Sequence, residues 1–337
     1  MNFFKSFVLV LIFAGCGNSL KKEWVVFHGK TMGTTFTIKY EKEQKINNRR
    51  LESEILEVLD KFDSMMSNWN SSSWVSKFNN SQKTDWIPMS SVVFEILELS
   101  GEINKCSNNA FDITISPIVE WWGFGVTEGK SERQEGELEM LRKKIGMELL
   151  EWREGPYQIK KGIPELEINC SAIAKGFGVD LVSNHLENRG VSNFMVEIGG
   201  EVRVKGVSKG EKNWVMGVRR PDQKGEPVYA KVKMSRGMSI ATSGDYLNAF
   251  MENGRRYSHI INPSTGKPVD HDLTSVTVIS PTCGEADALA TACMVLGEKE
   301  ALRMIDEREG CEAFFIKRVE GGYQTSMTPD FPLIKDF

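Results

Sequence analysis

The clearest pattern of apolar and polar positions lies at 285–297, where the sequence reads EADALATACMVLG. After Glu285, small and apolar residues fill this segment except at Asp287 and Thr291, which stand four residues apart. Because residues four apart project side by side from a helix, we predict a helix here with one polar face. The segment 170–180, CSAIAKGFGVD, opens a second helix that we expect to span 174–188.

Other periodicities predict strands and helices on both sides of these two. Residues 24–40 alternate as a strand does, with an interruption at 32–34, and 276–280 form a short apolar strand. Helical spacing recurs at 49–62 and at 92–103. These elements mix strands with helices but show no regular alternation of one strand with one helix. The pattern therefore favours an α+β fold.

The remaining segments read as loops, short strands and turns. We expect 66–79 to be a loop, and 110–125 to be a buried irregular segment because proline, glycine and aromatic residues break its periodicity. Short strands are predicted within 213–243, with a short helix after the turn in 241–250. A closing hairpin is predicted around Gly321-Gly322.

Composition narrows the classes of protein. The chain has 337 residues, 40% of them hydrophobic, which suits one large globular domain or two fused halves. The formal net charge of -4 offers no basic face of the kind that nucleic-acid backbones require. Nucleic acid is therefore not expected as a partner.

The N-terminus, MNFFKSFVLVLIFAGC, has one charge at Lys5, an apolar run at 7–13 and small residues before Cys16. It is too short to span a bilayer permanently and predicts a signal peptide over 1–16. The Ala-Gly-Cys ending resembles a bacterial lipobox, which would make Cys16 the lipid-modified first residue of an exported lipoprotein. The alternative is ordinary cleavage nearby, with release of a soluble exported protein.

In the lipoprotein interpretation, residues 17–23 form a short tether and 24–337 form the functional domain, anchored in the membrane and facing the periplasm. Five further cysteines remain after Cys16, without a CxxC pair or a His cluster, so a zinc site is not expected. One disulfide and buried free thiols both remain open.

Asp287 and Thr291 are the first candidates for chemistry. A carboxylate and a hydroxyl on one helix face can hold a hard cation such as Mg²⁺, which prefers oxygen ligands and shares its coordination with water and phosphorylated substrates. In the alternative interpretation, Asp287 caps its own helix near the start and Thr291 is a core residue bonded to a backbone carbonyl.

Two glycine-containing segments are compatible with phosphate or a flat ring. The turn at 171–174 opens a helix, and Lys175 adds a positive charge beside the free N–H groups of that helix end. The alternative is a capped helix that packs through Gly176 and Gly178. Gly199-Gly200 suits either a tight turn or a backbone against which a ring could lie.

His259 stands beside an Asn-Pro turn and is a candidate general base, because histidine exchanges protons near neutral pH. A structural role is the alternative. Ser243 has no His and Asp at diagnostic spacing, so a serine hydrolase is not supported.

Taken together, nine motifs resemble the ApbE-type flavin transferases in order and approximate spacing. They are MGTTF at 32–36, SNW at 67–69, AFDIT at 110–114, WWGFG at 121–125, SAIAKGFGVD at 171–180, VEIGGE at 196–201, TSGDY at 242–246, HIINPSTG at 259–266 and ADALATA at 286–292. The resemblance implies an α+β, T-fold-like architecture with an FAD cleft between two halves. It also implies Mg²⁺-dependent transfer of the FMN part of FAD to a threonine hydroxyl of an acceptor flavoprotein, with release of AMP.

The resemblance also implies roles for particular residues. The metal would be held by Asp287, Thr291 and the backbone carbonyl of Ala174, and His259 would help to deprotonate the acceptor hydroxyl. The residues implied to hold FAD are Met32, Trp69, Ala110, Phe111, Asp112, Ser171, Phe177 and Ile261. The chain departs from the family pattern at Asn68, Trp74 and Cys170.

Two other functions remain open at this point. An FAD pyrophosphatase would use the same site with water as the acceptor and release FMN and AMP. A non-catalytic lipoprotein that binds FAD would need neither the metal nor the base.

Overall fold

The computed structural model describes residues 22–125, 136–222, 228–246, 249–252 and 255–334. The predicted signal peptide and the lipobox cysteine lie outside these residues. The described strands are β1 (Trp24–Thr31), β2 (Thr34–Glu41), β3 (Ile87–Pro88), β4 (Leu150–Arg153), β5 (Gln158–Lys161), β6 (Phe194–Ile198), β7 (Glu201–Lys205), β8 (Trp214–Arg219), β9 (Val228–Met234), β10 (Ser239–Gly244), β11 (Ala249–Glu252), β12 (Arg255–Ser258), β13 (Ile261–Asn262), β14 (Lys267–Pro268), β15 (Leu273–Ser280), β16 (Glu312–Val319) and β17 (Gly322–Met327).

The helices alternate irregularly with these strands. They are α1 (Asn48–Met66), α2 (Trp74–Asn80), α3 (Ser91–Cys106), α4 (Ser116–Trp122), α5 (Glu137–Arg142), α6 (Ala174–Asn188), α7 (Cys283–Leu296) and α8 (Glu298–Asp306), with a 3₁₀ turn at Met147–Leu149. The predicted α+β class is confirmed.

Eight strands form one antiparallel sheet in the order β1-β2-β6-β7-β10-β15-β16-β17. Helices α6 and α7 pack side by side on one face of this sheet, α6 over β6 and β7 and α7 over β10 and β15. The β8–β9 hairpin contributes Trp214 and Val232 to a core on the opposite face. All eight residues of β15 are buried, because this strand lies between both layers.

Local sequence explains the helix that flanks α6. Asn47 accepts a hydrogen bond from the backbone N–H of Arg50 at 3.2 Å and so caps α1. Leu51, Ile55 and Leu59 follow at intervals of four and are buried against α6 and β2. This row of buried apolar residues explains why α1 forms where the spacing of apolar positions predicted a helix.

Several predicted elements are confirmed. Helix α6 spans the predicted 174–188, α3 covers 92–103, and the closing hairpin turns at Gly321 between β16 and β17. The segment 110–125 is irregular up to Ile115 and then forms the short helix α4.

Two local predictions were wrong. The segment 66–79 contains α2, because Ser73 caps it by accepting from the N–H of Ser76 at 2.9 Å, and Val75 and Phe78 bury its apolar side. Seven residues are too few to show a helical period in the sequence. After β10, the chain continues into the strand β11 rather than a short helix.

The five cysteines in the described part of the chain are free thiols, and four of them are buried. Across the same residues, no helix combines the length and the apolar character needed to cross a membrane.

Candidate active site

The first turns of α6 and α7 are joined by hydrogen bonds. Each helix supplies a carboxylate that accepts from backbone N–H groups in the first turn of the other helix. Asp287, on α7, is buried, and its Oδ2 accepts a hydrogen bond from the N–H of Gly176 at 3.0 Å. Gly176 lies in the first turn of α6, where backbone N–H groups have no acceptor within the helix. Asp287 therefore caps α6. In the simpler interpretation of the sequence it would have capped its own helix, α7.

Asp180, on α6, makes the reciprocal contact. Its two carboxylate oxygens accept from the N–H groups of Cys283 at 3.0 Å and Gly284 at 2.8 Å, in the first turn of α7. Arg203 donates to the same carboxylate at 2.9 Å. Two carboxylates thus fix the two helix ends against each other, a pairing across more than one hundred residues of sequence that no local pattern could predict.

Gly176 allows this close approach. A Cβ atom added there would lie 2.2 Å from the carbonyl oxygen of Cys283 and 2.8 Å from the Cβ of Asp287. The α6–α7 contact therefore needs glycine at this position, so the packing role weighed for Gly176 in the sequence is present.

Lys175 adds a positive charge to the same helix end. Its Nζ lies 3.6 Å from Oδ2 of Asp287 and 3.6 Å from Oε1 of Glu201, the first residue of β7. Burial raises the pKa of Asp287, while Lys175 and the N–H of Gly176 oppose that rise. Burial acts to lower the pKa of Lys175, but the carboxylates of Asp287 and Glu201 outweigh it and raise that pKa above its ordinary value.

The oxygen atoms around Asp287 fit a magnesium ion. Both contacts of its carboxylate with Gly176 and Lys175 use Oδ2, which leaves Oδ1 for a cation. Thr291 lies one turn further along α7, and no described residue forms a hydrogen bond with its hydroxyl, contrary to the core role considered for it. Within the described residues no group of three or more His, Cys, Asp or Glu side chains could hold a metal. A hard cation here would therefore depend on hydroxyl and carbonyl oxygens and on a substrate.

The backbone carbonyls of this region divide into two kinds. The carbonyl of Ala174, which the family resemblance implies as a ligand, belongs to the first residue of α6 and accepts within the helix. The carbonyl of Ala172 precedes the helix, and no described residue donates to it, because the N–H of Gly176 is turned to Asp287. Ala172 is thus a second candidate carbonyl ligand, which sequence analysis missed because the signal is a displaced hydrogen bond.

Three motifs implied to bind FAD converge just before α6. Asn68 donates to the carbonyl of Ile168 at 2.9 Å, which ties the segment before α2 to this point. The N–H of Asn169 donates to the carbonyl of Ile113 at 2.6 Å, and Asn169 Oδ1 accepts from the N–H of Ser171 at 3.0 Å. Asn68, a departure from the family pattern, therefore has a structural role here.

The other two departures also have structural roles. The indole of Trp74 donates to the carbonyl of Pro88 at 3.2 Å, and its ring stacks on Phe78. Cys170 is buried, which raises the pKa of its thiol to about 12, and its carbonyl accepts from the N–H of Ala174 at 2.8 Å.

Some of the predicted FAD residues offer open surfaces. Trp69 is 72% exposed, and Ser171 is exposed just before α6. Met32 lies at the β1–β2 turn with a positive φ of 47° and reaches the first half of α6 at Gly178. Asp112 accepts from the N–H and the hydroxyl of Thr114 at 2.7 and 2.6 Å, and burial raises its pKa.

The other predicted FAD residues are buried. The ring of Phe177 stacks on Phe62 with centroids 5.9 Å apart, inside the main core that also contains Ala110 and Phe111. Ile261 packs in a separate cluster with Trp122. The ring of Phe177 thus packs in the core, and any contact of these residues with FAD stays a prediction.

His259 is half-buried at the bend between β12 and β13, with its ring edge-on to Phe124 at a centroid distance of 6.3 Å. The adjacent β13–β14 hairpin borders a cavity of about 450 Å³. Its lining residues are Trp122, Tyr257, Asn262, Thr265, Lys267, Pro268, Val269, Asp270, His271 and Val295. This segment thus combines a titratable side chain with space for part of a ligand.

Comparison with known proteins agrees with this arrangement. The profile of the ApbE family matches residues 32–315. The protein called FAD:protein FMN transferase from Haemophilus influenzae is 35% identical over 330 residues, which are 96% of this chain and 94% of that protein.

Solved structures are similar over the same span. The flavin transferase ApbE from Vibrio cholerae superposes with a TM-score of 0.84 at 34% identity, covering 93% of this chain and 100% of the other. The apo flavinyl transferase ApbE from Pseudomonas stutzeri gives 0.83 at 33% identity, covering 93% and 96%. The joined ends of α6 and α7 and the matched residues lead to one conclusion: the chain is an enzyme of the ApbE family.

Proposed function

We propose that this protein transfers the FMN part of FAD to a threonine hydroxyl of an acceptor flavoprotein and releases AMP, in a reaction that requires Mg²⁺. The names of its relatives support the transfer of FMN to a protein. The observation that carries the metal requirement is the buried carboxylate of Asp287, which has one oxygen engaged at the end of α6 and the other oxygen left for a cation.

Asp287, Thr291 and a carbonyl of the 172–174 segment would hold the ion. When bound, Mg²⁺ would neutralise charge on the diphosphate of FAD and on the departing AMP. The chain itself orients the substrate. Positive charge from Lys175 and the start of α6 favours a diphosphate near this helix end, and exposed Trp69 offers a ring face for stacking.

His259 is proposed to accept the proton of the acceptor hydroxyl while the oxygen of that hydroxyl attacks the phosphorus of the FMN part. The ring is held by its edge-on contact with Phe124 and is only half-buried, so an acceptor could reach it. If no acceptor protein is present, water can attack instead, and the same site would act as a pyrophosphatase.

The location is also a proposal. The apolar segment before Cys16 and the small residues that precede it support an exported lipoprotein, anchored through Cys16 and facing the periplasm. An acceptor flavoprotein would then be exported or would expose its threonine on the same side of the membrane.

The test is a product analysis with FAD, Mg²⁺ and an acceptor domain that contains a threonine. Covalent FMN on the acceptor together with one AMP per FMN supports the transferase. Free FMN and AMP with an unlabelled acceptor would favour the pyrophosphatase, and unchanged bound FAD would favour the carrier.

A further inference from the structure

Lys175 is shared equally between two buried carboxylates. Its Nζ lies 3.6 Å from Asp287 Oδ2 and 3.6 Å from Glu201 Oε1, so it is not committed to a short hydrogen bond with either one. A small rotation of the flexible lysine side chain would shorten one contact and lengthen the other.

Burial leaves the carboxylate of Glu201 with few partners. Its side chain is 4% exposed, and Oε2 is buried without a hydrogen-bond partner among the described residues. Its backbone pairs with Ile198 of β6 in the large sheet. A buried carboxylate oxygen without a partner is costly, and the only cation near it is Lys175 among the residues described.

The turn beside Glu201 keeps this space open for the lysine. Gly199 has a φ of 65°, which favours glycine, and a Cβ there would lie 3.2 Å from Cδ of Lys175 and 3.3 Å from Oε2 of Glu201. The Gly199-Gly200 turn thus serves as a tight turn, one of the two interpretations left open by the sequence. It lets the lysine stem pass close to the sheet.

We propose that Lys175 is a movable counter-ion. When a divalent cation binds to Asp287, the ammonium group of Lys175 moves away from Asp287 and towards Glu201. This inference rests on the proposed metal role of Asp287. A divalent cation at Oδ1 repels the nearby ammonium, and the repulsion falls as the ammonium withdraws towards Glu201. Glu201 is therefore a positioning residue that acts through Lys175 and does not contact the metal.

The consequence is that Glu201 keeps Lys175 from competing with the metal. In Glu201→Gln the side chain at position 201 loses its charge, and Lys175 pairs fully with Asp287. In Lys175→Met the competitor is absent, and Asp287 keeps its hydrogen bond from Gly176. The effect of Glu201→Gln should therefore disappear when Lys175 is also replaced.

The experiment measures Mn²⁺ binding to the full-length protein in detergent, with free Mn²⁺ counted by electron paramagnetic resonance and no flavin present. We expect Glu201→Gln to weaken binding about tenfold or more. Lys175→Met and the double variant should both bind at least as tightly as the parent. Glu197→Gln, on the other side of the same turn, is the matched control and should bind as the parent does.

Urea unfolding of each metal-free variant shows whether the fold is intact. Glu201→Asp, which draws the carboxylate back from Lys175, is a second variant that should weaken binding in the same direction. A double variant that binds as weakly as Glu201→Gln would overturn the proposal, because Glu201 would then act on the metal directly. Normal binding by Glu201→Gln would also overturn it. Failure of the parent to bind Mn²⁺ would overturn the metal role of Asp287 itself.

Discussion

Substituting Gly176 with alanine tests whether the contact between α6 and α7 builds the site. The added Cβ would lie 2.2 Å from the carbonyl oxygen of Cys283, an atom of the backbone that cannot rotate away. Reaching an ordinary contact distance requires the two helices to separate by about 1 Å or more. Gly178→Ala is the matched control, since its Cβ would meet the end of the flexible Met32 side chain at 2.6 Å.

The magnitude follows from three contributions. Overpacking a rigid contact costs about 1–3 kcal/mol. Lengthening the hydrogen bonds that Asp287 and Asp180 accept across this contact removes part of about 1.5–3 kcal/mol for each bond. The higher helix propensity of alanine stabilises the folded state by about 1 kcal/mol relative to glycine and offsets part of this loss. We therefore expect Gly176→Ala to lower the free energy of unfolding by about 2–4 kcal/mol, and Gly178→Ala to change it by less than about 1 kcal/mol.

Urea unfolding followed by far-ultraviolet circular dichroism gives both values. The midpoint should fall clearly for Gly176→Ala, with an unchanged slope, and stay near that of the parent for Gly178→Ala. Equal stability of the two variants would refute the reasoning, because it would mean that the helices separate at no cost.

Three further predictions concern the site, the core and the location. His259→Ala should lower the rate of transfer about 10²–10⁴-fold while leaving Mn²⁺ binding unchanged, as steady-state kinetics and metal titration would show; a rate within twofold of the parent would exclude His259 as the base. Lys161 is fully buried and donates to the carbonyls of Asn79, Ser81 and Pro164 at 3.1, 2.8 and 3.2 Å. Lys161→Met should therefore lower the free energy of unfolding by about 2–4 kcal/mol in urea titrations. An unchanged unfolding midpoint would contradict this. Cys16→Ala should move the protein out of the membrane fraction and abolish labelling by a radioactive fatty acid, whereas retention in the membrane would exclude the proposed anchor.

The sequence was sufficient for elements with a long or clearly marked pattern. The bounds of α6 were predicted from the turn at Ser171 and the apolar positions that follow, and the last hairpin from Gly321-Gly322. Helix α2 was missed because its seven residues depend on the Ser73 cap and on burial against α1. The strand β11 was missed because its pairing with β12 is a contact between segments, which no single-segment pattern contains.

The same distinction applies to the candidate site. Asp287 and Thr291 stood out because one helix carries both of them. The roles of Asp180, Ala172 and Glu201 could not be predicted, since each depends on a contact formed only when α6, α7 and β7 pack together. Phe177 was named through the family resemblance, and its packing on Phe62 in the core is a contact that the sequence did not indicate.

The most direct test of the proposed function is the intact mass of a threonine-containing acceptor domain after incubation with the protein, FAD and Mg²⁺. We predict a mass gain equal to one covalently bound FMN, located on the threonine by tandem mass spectrometry. The gain should be absent with a chelator or with Asp287→Ala. An acceptor that stays unmodified while FAD is consumed, or labelling that persists in Asp287→Ala, would contradict the account.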